Sequence, residues 1–163
     1  MTDGIAELVT ACPGSIISPP TGGPLNRIDA AIAIVVRGQK VLICQRKADD
    51  TFGNFWEFPG GKQEDGETLE QCLARELREE LAIEARPIAR LPVVEHDYPQ
   101  MLIRLHPFIC AHVSGEPEHL ECQASRWIDP QQLTKFEFPP ANEDLIRQTI
   151  AFLTTSELPS ESP

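Results

Sequence analysis

The 163-residue chain lacks several features that would place it in a large class of proteins. Its five cysteines are odd in number, and no two of them have the Cys-x-x-Cys spacing of a zinc site or a redox motif. No apolar run approaches the 18 residues of a membrane-spanning helix, and no basic segment followed by a long apolar run opens the sequence. We therefore expect a cytoplasmic protein with reduced cysteines, which is neither secreted nor inserted in a membrane.

Basic residues are also scarce. The 14 lysines and arginines face 25 aspartates and glutamates, which gives a formal net charge of −11. Proteins that bind duplex nucleic acid depend on clustered Lys and Arg, so we do not expect such a partner. A small polyanion remains possible where metal ions and a few basic side chains neutralise it locally.

What is present indicates one ordinary domain, with 41% hydrophobic residues and 24% charged residues. Residues 1–27 are rich in proline and glycine and read as an extension with little regular structure. Residues 28–154 carry the patterns of a folded domain, and residues 155–163 are typical of a solvated tail.

Strand and helix patterns alternate along that domain. The spacing predicts strands over 30–36, 41–47, 88–94, 101–113 and 120–128, with a hairpin between the first two and turns at 98–100 and 114–117. Helices are predicted from Thr68, with a capping box to Gln71, to about 81, and from 142 to 153. The order of elements predicts an α+β protein, an α-β-α sandwich in which a mixed sheet packs between helices.

The first predicted helix carries carboxylates on its apolar side. At about 100° per residue, Glu76 and Glu80 fall within the same arc as four apolar residues. Those four residues are Cys72, Leu73, Leu77 and Leu81. Charge runs on helices are usually solvated faces, and Arg75 is spaced to pair with Glu79. A carboxylate on the buried side, however, needs compensation, and Mg²⁺ or Mn²⁺ would supply it.

The residues around this helix resemble the Nudix hydrolase signature. The signature is a glycine, five residues, a glutamate, seven residues, and then Arg-Glu-hydrophobic-x-Glu-Glu-x-Gly-hydrophobic. Eight of its nine specified positions agree, and the nine residues here are Gly61, Glu67, Arg75, Glu76, Leu77, Glu79, Glu80, Ala82 and Ile83. From about residue 32 to 150 the chain is similar to the MutT-type branch, through Gln45-Arg46, the EFPGGK run at 57–62, the GEPE turn and FPPANE at 138–143.

The resemblance implies a nucleoside triphosphate pyrophosphohydrolase that uses Mg²⁺ or Mn²⁺. It implies metal ligation by Glu76, Glu79, Glu80 and a backbone carbonyl near Gly60, with Glu121 where the branch carries an additional metal-linked glutamate. Attack at the β-phosphorus would release a nucleoside monophosphate and pyrophosphate, with Glu76 or Glu121 as general base. Arg75 is similar to a family arginine that orients a glutamate. Glu121 taken alone also fits a solvated side chain beside a strand.

The resemblance also implies a base pocket formed by Arg46, Phe58 and Asn142, with Lys62 near the phosphates. Each of the three has a plain alternative. Arg46 could be an exposed charge at a strand end, and Phe58 could be part of the core. Asn142 could cap the second helix, because Asn is a preferred N-cap residue.

Two positions depart from the family pattern. Ala82 replaces the glycine that normally ends the signature helix in a left-handed conformation, where alanine costs about 1 kcal/mol. Met101 lies near the place where a well-known member has an arginine by the base.

Three hypotheses therefore stay open. They are an enzyme that removes 8-oxo-dGTP from the nucleotide pool, the same chemistry on CTP, dCTP or a modified pyrimidine nucleotide, and a Nudix-like module that binds nucleotide without hydrolysis.

Overall fold

The computed structural model describes residues 26–98 and 101–156, and it confirms a mixed sheet packed between helices. In chain order the strands and helices are β1 (Asn26–Arg37), β2 (Lys40–Gln45), β3 (Trp56–Glu57), β4 (Gly60–Lys62), α1 (Leu69–Leu81), β5 (Glu84–Arg90), β6 (Val94–Tyr98), β7 (Met101–Ser114), β8 (Ala124–Ile128) and α2 (Glu143–Thr155), with 3-10 helices at Pro130–Lys135 and Pro140–Asn142 before α2. Within these ranges, no helix is long and apolar enough to cross a membrane.

A parallel pair, β1 and β7, forms the centre of the sheet. The strand order is β3-β2-β1-β7-β5, and β4, β6 and β8 pair antiparallel with β1, β7 and β2 respectively. The predicted hairpin between β1 and β2 is confirmed. Its turn contains Gly38 with a φ of 58°, a left-handed conformation that glycine adopts without a steric penalty.

The residues of β1 alternate between two cores, one on each face of the sheet. Ala31, Ala33 and Val35 pack with the buried side of α1, whereas Ala30, Ile32 and Ile34 pack towards α2. A strand buried on both faces reads as a continuous apolar run, which explains the AAIAIVV segment. The glutamates of α1 that are predicted as metal ligands, Glu76, Glu79 and Glu80, lie on the α1 side of the sheet.

Helix α1 begins and ends much as its sequence predicts. Thr68 accepts a hydrogen bond from the Gln71 N–H, and the Gln71 side chain accepts one from the Thr68 N–H, so the predicted capping box is confirmed. At the other end Ala82 has φ 55° and ψ 33°, the left-handed conformation that glycine occupies in the family signature. The helix therefore ends in the family's way, with alanine in a strained position.

Two predicted strands are wrong in extent. The strand predicted over 88–94 is instead β5 at Glu84–Arg90 followed by the start of β6, because bulges near Pro87 break the alternation on which the prediction relied. Of the strand predicted over 120–128, only Ala124–Ile128 pairs with a neighbour. The extension at 1–27 apart from its last two residues, most of the turn at 98–100 and most of the tail lie outside the described residues.

Candidate active site

Two parts of the fold lie against the acidic face of α1 in the C-terminal half of the helix. They are the glycines of β4 and the irregular segment 118–123 that leads into β8. Strand β4 approaches α1 most closely at Gly61, where a Cβ atom would meet the Glu76 carboxyl group. The structure brings Gly60, Glu76, Glu80 and Glu121 into one region.

Arg75 is fixed by a glutamate from the loop before α1. Its Nη2 and Nε atoms donate to the two carboxylate oxygens of Glu67 at 2.7 and 3.1 Å, and its Nη1 donates to Glu76 at 2.6 Å. The bridging geometry lowers the pKa of Glu67 from 4.5 to about 2, chiefly through the hydrogen bonds from Arg75. Arg75 also lies 3.4 Å from the exposed Glu79. It contacts two of the predicted metal ligands, which is the geometry of a positioning residue.

The two glycines of β4 hold the carboxylates of α1 at close range. A Cβ atom on Gly61 would lie 2.3 Å from the carboxyl carbon of Glu76, so the glutamate fills the space that any side chain would take. The Gly60 N–H points to Glu80 Oε2 at 3.3 Å. At Gly60 a Cβ would also lie 2.2 Å from the carbonyl oxygen of Ala31. Gly60 therefore requires glycine because of the backbone beside it, whereas a side chain at Gly61 would displace the Glu76 carboxylate.

The carboxylates of this region raise one another's pKa. Burial is the largest cause at Glu80, and the nearby charges of Glu57, Glu76 and Glu121 add to it. Burial also raises the pKa of Glu76, against the lowering effect of Arg75, and the pKa of Glu121, where Glu79 contributes. Crowding of this kind disfavours the ionised forms unless a cation is present.

The donor set suits a divalent cation. Carboxylate oxygens are the preferred ligands of Mg²⁺, and Glu80 lies near the carboxylates of Glu57, Glu76 and Glu121, whose charges raise its pKa. Across residues 26–98 and 101–156, no three His, Cys, Asp or Glu side chains are already arranged to hold an ion. The residues fit the ion in charge and chemistry, and side-chain rotation would be needed to enclose it.

The segment that carries Glu121 is attached to the end of α1. The N–H groups of Glu118 and Leu120 donate to the carbonyls of Leu81 and Glu80 at 2.9 and 3.2 Å. These bonds satisfy two carbonyls that a helix end leaves without intrahelical partners. Glu121 is partly buried rather than fully solvated.

The predicted base-pocket residues come from three parts of the chain: Arg46 follows β2, Phe58 lies between β3 and β4, and Asn142 ends the 3-10 helix before α2. Arg46 is only 6% exposed, so its reading as an exposed charge is wrong, and its guanidinium donates to Glu57 at 2.8 Å and to the Thr51 carbonyl at 2.6 Å. Phe58 is buried in the α2-side core, with its ring centroid 5.5 Å from that of Phe138. The structure thus supports the packing alternative for Phe58.

Asn142 and Lys62 both lie at the edges of elements. Asn142 occupies the N-cap position of α2, but its side chain makes no capping hydrogen bond and its Nδ2 donates instead to the Pro139 carbonyl at 3.5 Å. Lys62 is exposed at the end of β4, and its carbonyl accepts a hydrogen bond from Arg75. Met101 is partly buried at the start of β7.

Two residues of the region were not predicted. Glu57 is one of the charges that raise the pKa of Glu80, and it binds Arg46. Its presence in the EFPGGK run was a signal that could have pointed to it. The Gln123 side chain donates hydrogen bonds to Arg46 and Asn54, which are 77 and 69 positions earlier in the chain. No local pattern could have indicated those contacts.

Comparison with known proteins agrees with the signature. The family described as "NUDIX domain" matches residues 30–148. The chain is 35% identical over 123 residues to a protein of Escherichia coli K12 named 8-oxo-dGTP diphosphatase, which covers 75% of this chain and 95% of that protein. It is 33% identical over 127 residues to the CTP pyrophosphohydrolase of the same organism, which covers 78% and 94%. The solution structure of the E. coli ORF135 protein superposes with a TM-score of 0.72 at 33% identity, over 79% of this chain and 94% of that one.

Proposed function

This chain belongs to the NUDIX domain family, and from that premise we propose that it is a metal-dependent nucleoside triphosphate pyrophosphohydrolase. The observation that carries the proposal is the crowding of Glu76, Glu80 and Glu121, whose raised pKa values leave a need for positive charge. The products would be a nucleoside monophosphate and pyrophosphate.

A divalent cation such as Mg²⁺ would supply the charge that shields the phosphates and lowers the pKa of a bound water. Glu76, Glu79, Glu80 and Glu121, with a backbone carbonyl near Gly60, would hold it. The Nudix family is generally dependent on such ions. Arg75 would keep Glu76 in place through its bond of 2.6 Å.

The general base is Glu76 or Glu121. Either carboxylate would accept a proton from the attacking water. Glu76 is hydrogen-bonded to Arg75, which restrains it, whereas Glu121 lies on an irregular segment. Loss of the acidic limb of the kcat–pH profile in Glu76→Gln or in Glu121→Gln would identify the base.

For the substrate we propose an oxidised purine nucleotide such as 8-oxo-dGTP. The relative named 8-oxo-dGTP diphosphatase supports this choice, with Arg46, Phe58 and Asn142 as the proposed base pocket and Lys62 near the phosphates. Burial of Phe58 means that it would shape the pocket floor from within the core. An enzyme of this kind, with free buried cysteines such as Cys44, Cys72 and Cys110, would work in the cytoplasm and would not need duplex nucleic acid.

A second candidate substrate is CTP, dCTP or a modified pyrimidine nucleotide. It is favoured by Met101, which lies near the place where a well-known family member has an arginine by the base, and by the relative named CTP pyrophosphohydrolase. A module that binds nucleotide without hydrolysis is disfavoured, because the signature glutamates Glu76, Glu79 and Glu80 are all present.

The products of a single incubation test the reaction. With 8-oxo-dGTP and Mg²⁺, the native protein should give the monophosphate and pyrophosphate in equal amounts, separated by anion-exchange chromatography. Formation of the diphosphate and inorganic phosphate would place the attack at the γ-phosphorus and contradict the proposal.

A further inference from the structure

The segment around Glu121 has no regular secondary structure, yet it is bonded on both sides. Before it, the Leu120 N–H donates to the Glu80 carbonyl at 3.2 Å. After it, the Gln123 N–H donates to the Gln45 carbonyl at 2.9 Å, which joins it to the end of β2. Glu121 therefore lies between a contact to α1 and a contact to the sheet.

The side chain of Gln123 adds a second connection, to the loop between β2 and β3. Its Nε2 donates to the Arg46 carbonyl at 2.8 Å and to Asn54 Oδ1 at 2.7 Å. Both donors of the amide are used, and both acceptors belong to the loop 46–55. The Gln45 side chain strengthens the same junction by donating to the Asn54 carbonyl at 2.9 Å.

The loop is a rigid platform for these contacts. Phe52 and Asn54 have left-handed φ values of 51° and 67°. Asparagine adopts this conformation readily, whereas a bulky residue such as Phe52 keeps it only where the surroundings enforce it. A Cβ on Gly53 would lie 2.3 Å from the Ala48 carbonyl oxygen, so the loop is wound tightly. The Arg46 side chain also binds the Thr51 carbonyl at 2.6 Å.

We propose that Gln123 is a positioning residue for Glu121, which acts by bonding the Glu121 segment to the rigid loop 46–55. This inference rests on the proposed function, because it assigns Glu121 a part in the reaction. A carboxylate on an irregular segment needs such support, since a displacement of about 1 Å at a reacting group can cost about a hundred-fold in rate. Gln123 would connect Glu121, at the proposed metal site, to the backbone of Arg46, which belongs to the proposed base pocket.

A double-variant cycle tests the inference, with Gln123→Met, Glu121→Gln and the two together. Methionine keeps the length of the side chain and removes its donors. We expect Gln123→Met alone to lower kcat for nucleotide hydrolysis about ten-fold, with KM changed less than about two-fold. In the Glu121→Gln background the same substitution should lower kcat no further, because the carboxylate that it positions is gone.

Equal losses in both backgrounds would overturn the inference, since they would show that Gln123 acts independently of Glu121. Gln131→Met is the matched control. It removes one hydrogen bond of a side-chain amide, from Gln131 Nε2 to Thr154 Oγ1 at 2.9 Å, which joins the 3-10 helix at Pro130–Lys135 to α2, and it should leave kcat unchanged. If Gln123→Met fails to fold, Asn54→Gly replaces it in the cycle, since glycine keeps the left-handed backbone and removes the acceptor. Lack of nucleotide turnover by the native protein would overturn the proposed function and this inference with it, whereas normal turnover with additive losses would overturn the inference alone.

Discussion

Glu67 and Arg75 form a bidentate ion pair, with hydrogen bonds of 2.7 and 3.1 Å between the guanidinium and the two carboxylate oxygens. The pair ties the loop before α1 to the middle of the helix. It also leaves Nη1 of Arg75 directed at Glu76, 2.6 Å away. Glu67 therefore acts on the proposed metal site indirectly, because it positions Arg75, which in turn is hydrogen-bonded to Glu76.

Replacement of Glu67 by glutamine should destabilise the protein in a pH-dependent way. The pKa of Glu67 is lowered to about 2 in the folded state, so its stabilisation is present above its unfolded value of about 4.5 and is lost as the pH falls towards 2. We expect Glu67→Gln to cost about 2 kcal/mol at pH 7 and progressively less below pH 4.5. Urea unfolding of both proteins across that range measures the difference.

The exposed pair of Arg37 and Glu116 provides a control for that experiment. Its Glu116 side chain is 79% exposed, so Glu116→Gln should cost less than about 1 kcal/mol at pH 7. A Glu67→Gln effect that stayed constant down to pH 3 would show that the ion pair is not its source.

Gly61→Ala should impair activity more than stability. The added methyl would occupy the position of the Glu76 carboxylate, which is the flexible end of a side chain and can move aside. We expect kcat to fall by about ten-fold or more, because Glu76 is displaced from its place beside Arg75, with a small change in Tm. Gly38→Ala gives the opposite pattern, since nothing lies within 4 Å of it and its φ of 58° penalises a side chain. Loss of activity in Gly38→Ala, or full activity in Gly61→Ala, would contradict this account.

Ala82→Gly should stabilise the protein and leave its activity intact. Ala82 has φ 55° and ψ 33°, where glycine is free of the steric penalty of alanine. The expected gain is about 1 kcal/mol, or a rise in Tm of about 2–4 °C. Ala74→Gly, in the interior of α1, should instead lower stability by about 1 kcal/mol. An unchanged or lower Tm for Ala82→Gly would refute the strain at this position.

Glu80→Gln should raise the stability of the metal-free protein. Because the pKa of Glu80 is raised in the folded state, the protein loses stability as the pH rises above the unfolded value of about 4.5, and a neutral amide removes this penalty. We expect a Tm higher by about 2–4 °C in EDTA at pH 8, together with a smaller rise when Mg²⁺ is added. Equal Mg²⁺-induced shifts in both proteins would show that Glu80 does not bind the ion.

The local features of the site could be predicted from sequence, and its long-range contacts could not. The capping box of Thr68 with Gln71 and the position of Glu76 on the apolar stripe depend on spacing within one helix, which the sequence states directly. The bond from Arg46 to Glu57 depends on how β2 and β3 pair. The burial of Phe58 depends on Phe138, which is distant in the chain.

The strand errors have a similar origin. The prediction over 88–94 followed apolar residues, whereas β5 begins at Glu84 and contains bulges near Pro87. The prediction over 120–128 extends a true strand towards its N-terminal side, but the Leu120 N–H donates to the Glu80 carbonyl of α1 instead of pairing in the sheet. Pairing between distant segments decided both cases, and single-sequence patterns do not contain it.

Pyrophosphate release from 8-oxo-dGTP, dGTP, dCTP and CTP with Mg²⁺ tests the central claim most directly. The native protein should turn over at least one of the four, with the highest kcat/KM for 8-oxo-dGTP, and Glu80→Gln should lower that value by about a hundred-fold or more. A preference for CTP or dCTP would assign the second candidate substrate. Lack of turnover of all four nucleotides, while Glu80→Gln binds them as tightly as the native protein, would contradict the claim that this chain is a metal-dependent hydrolase.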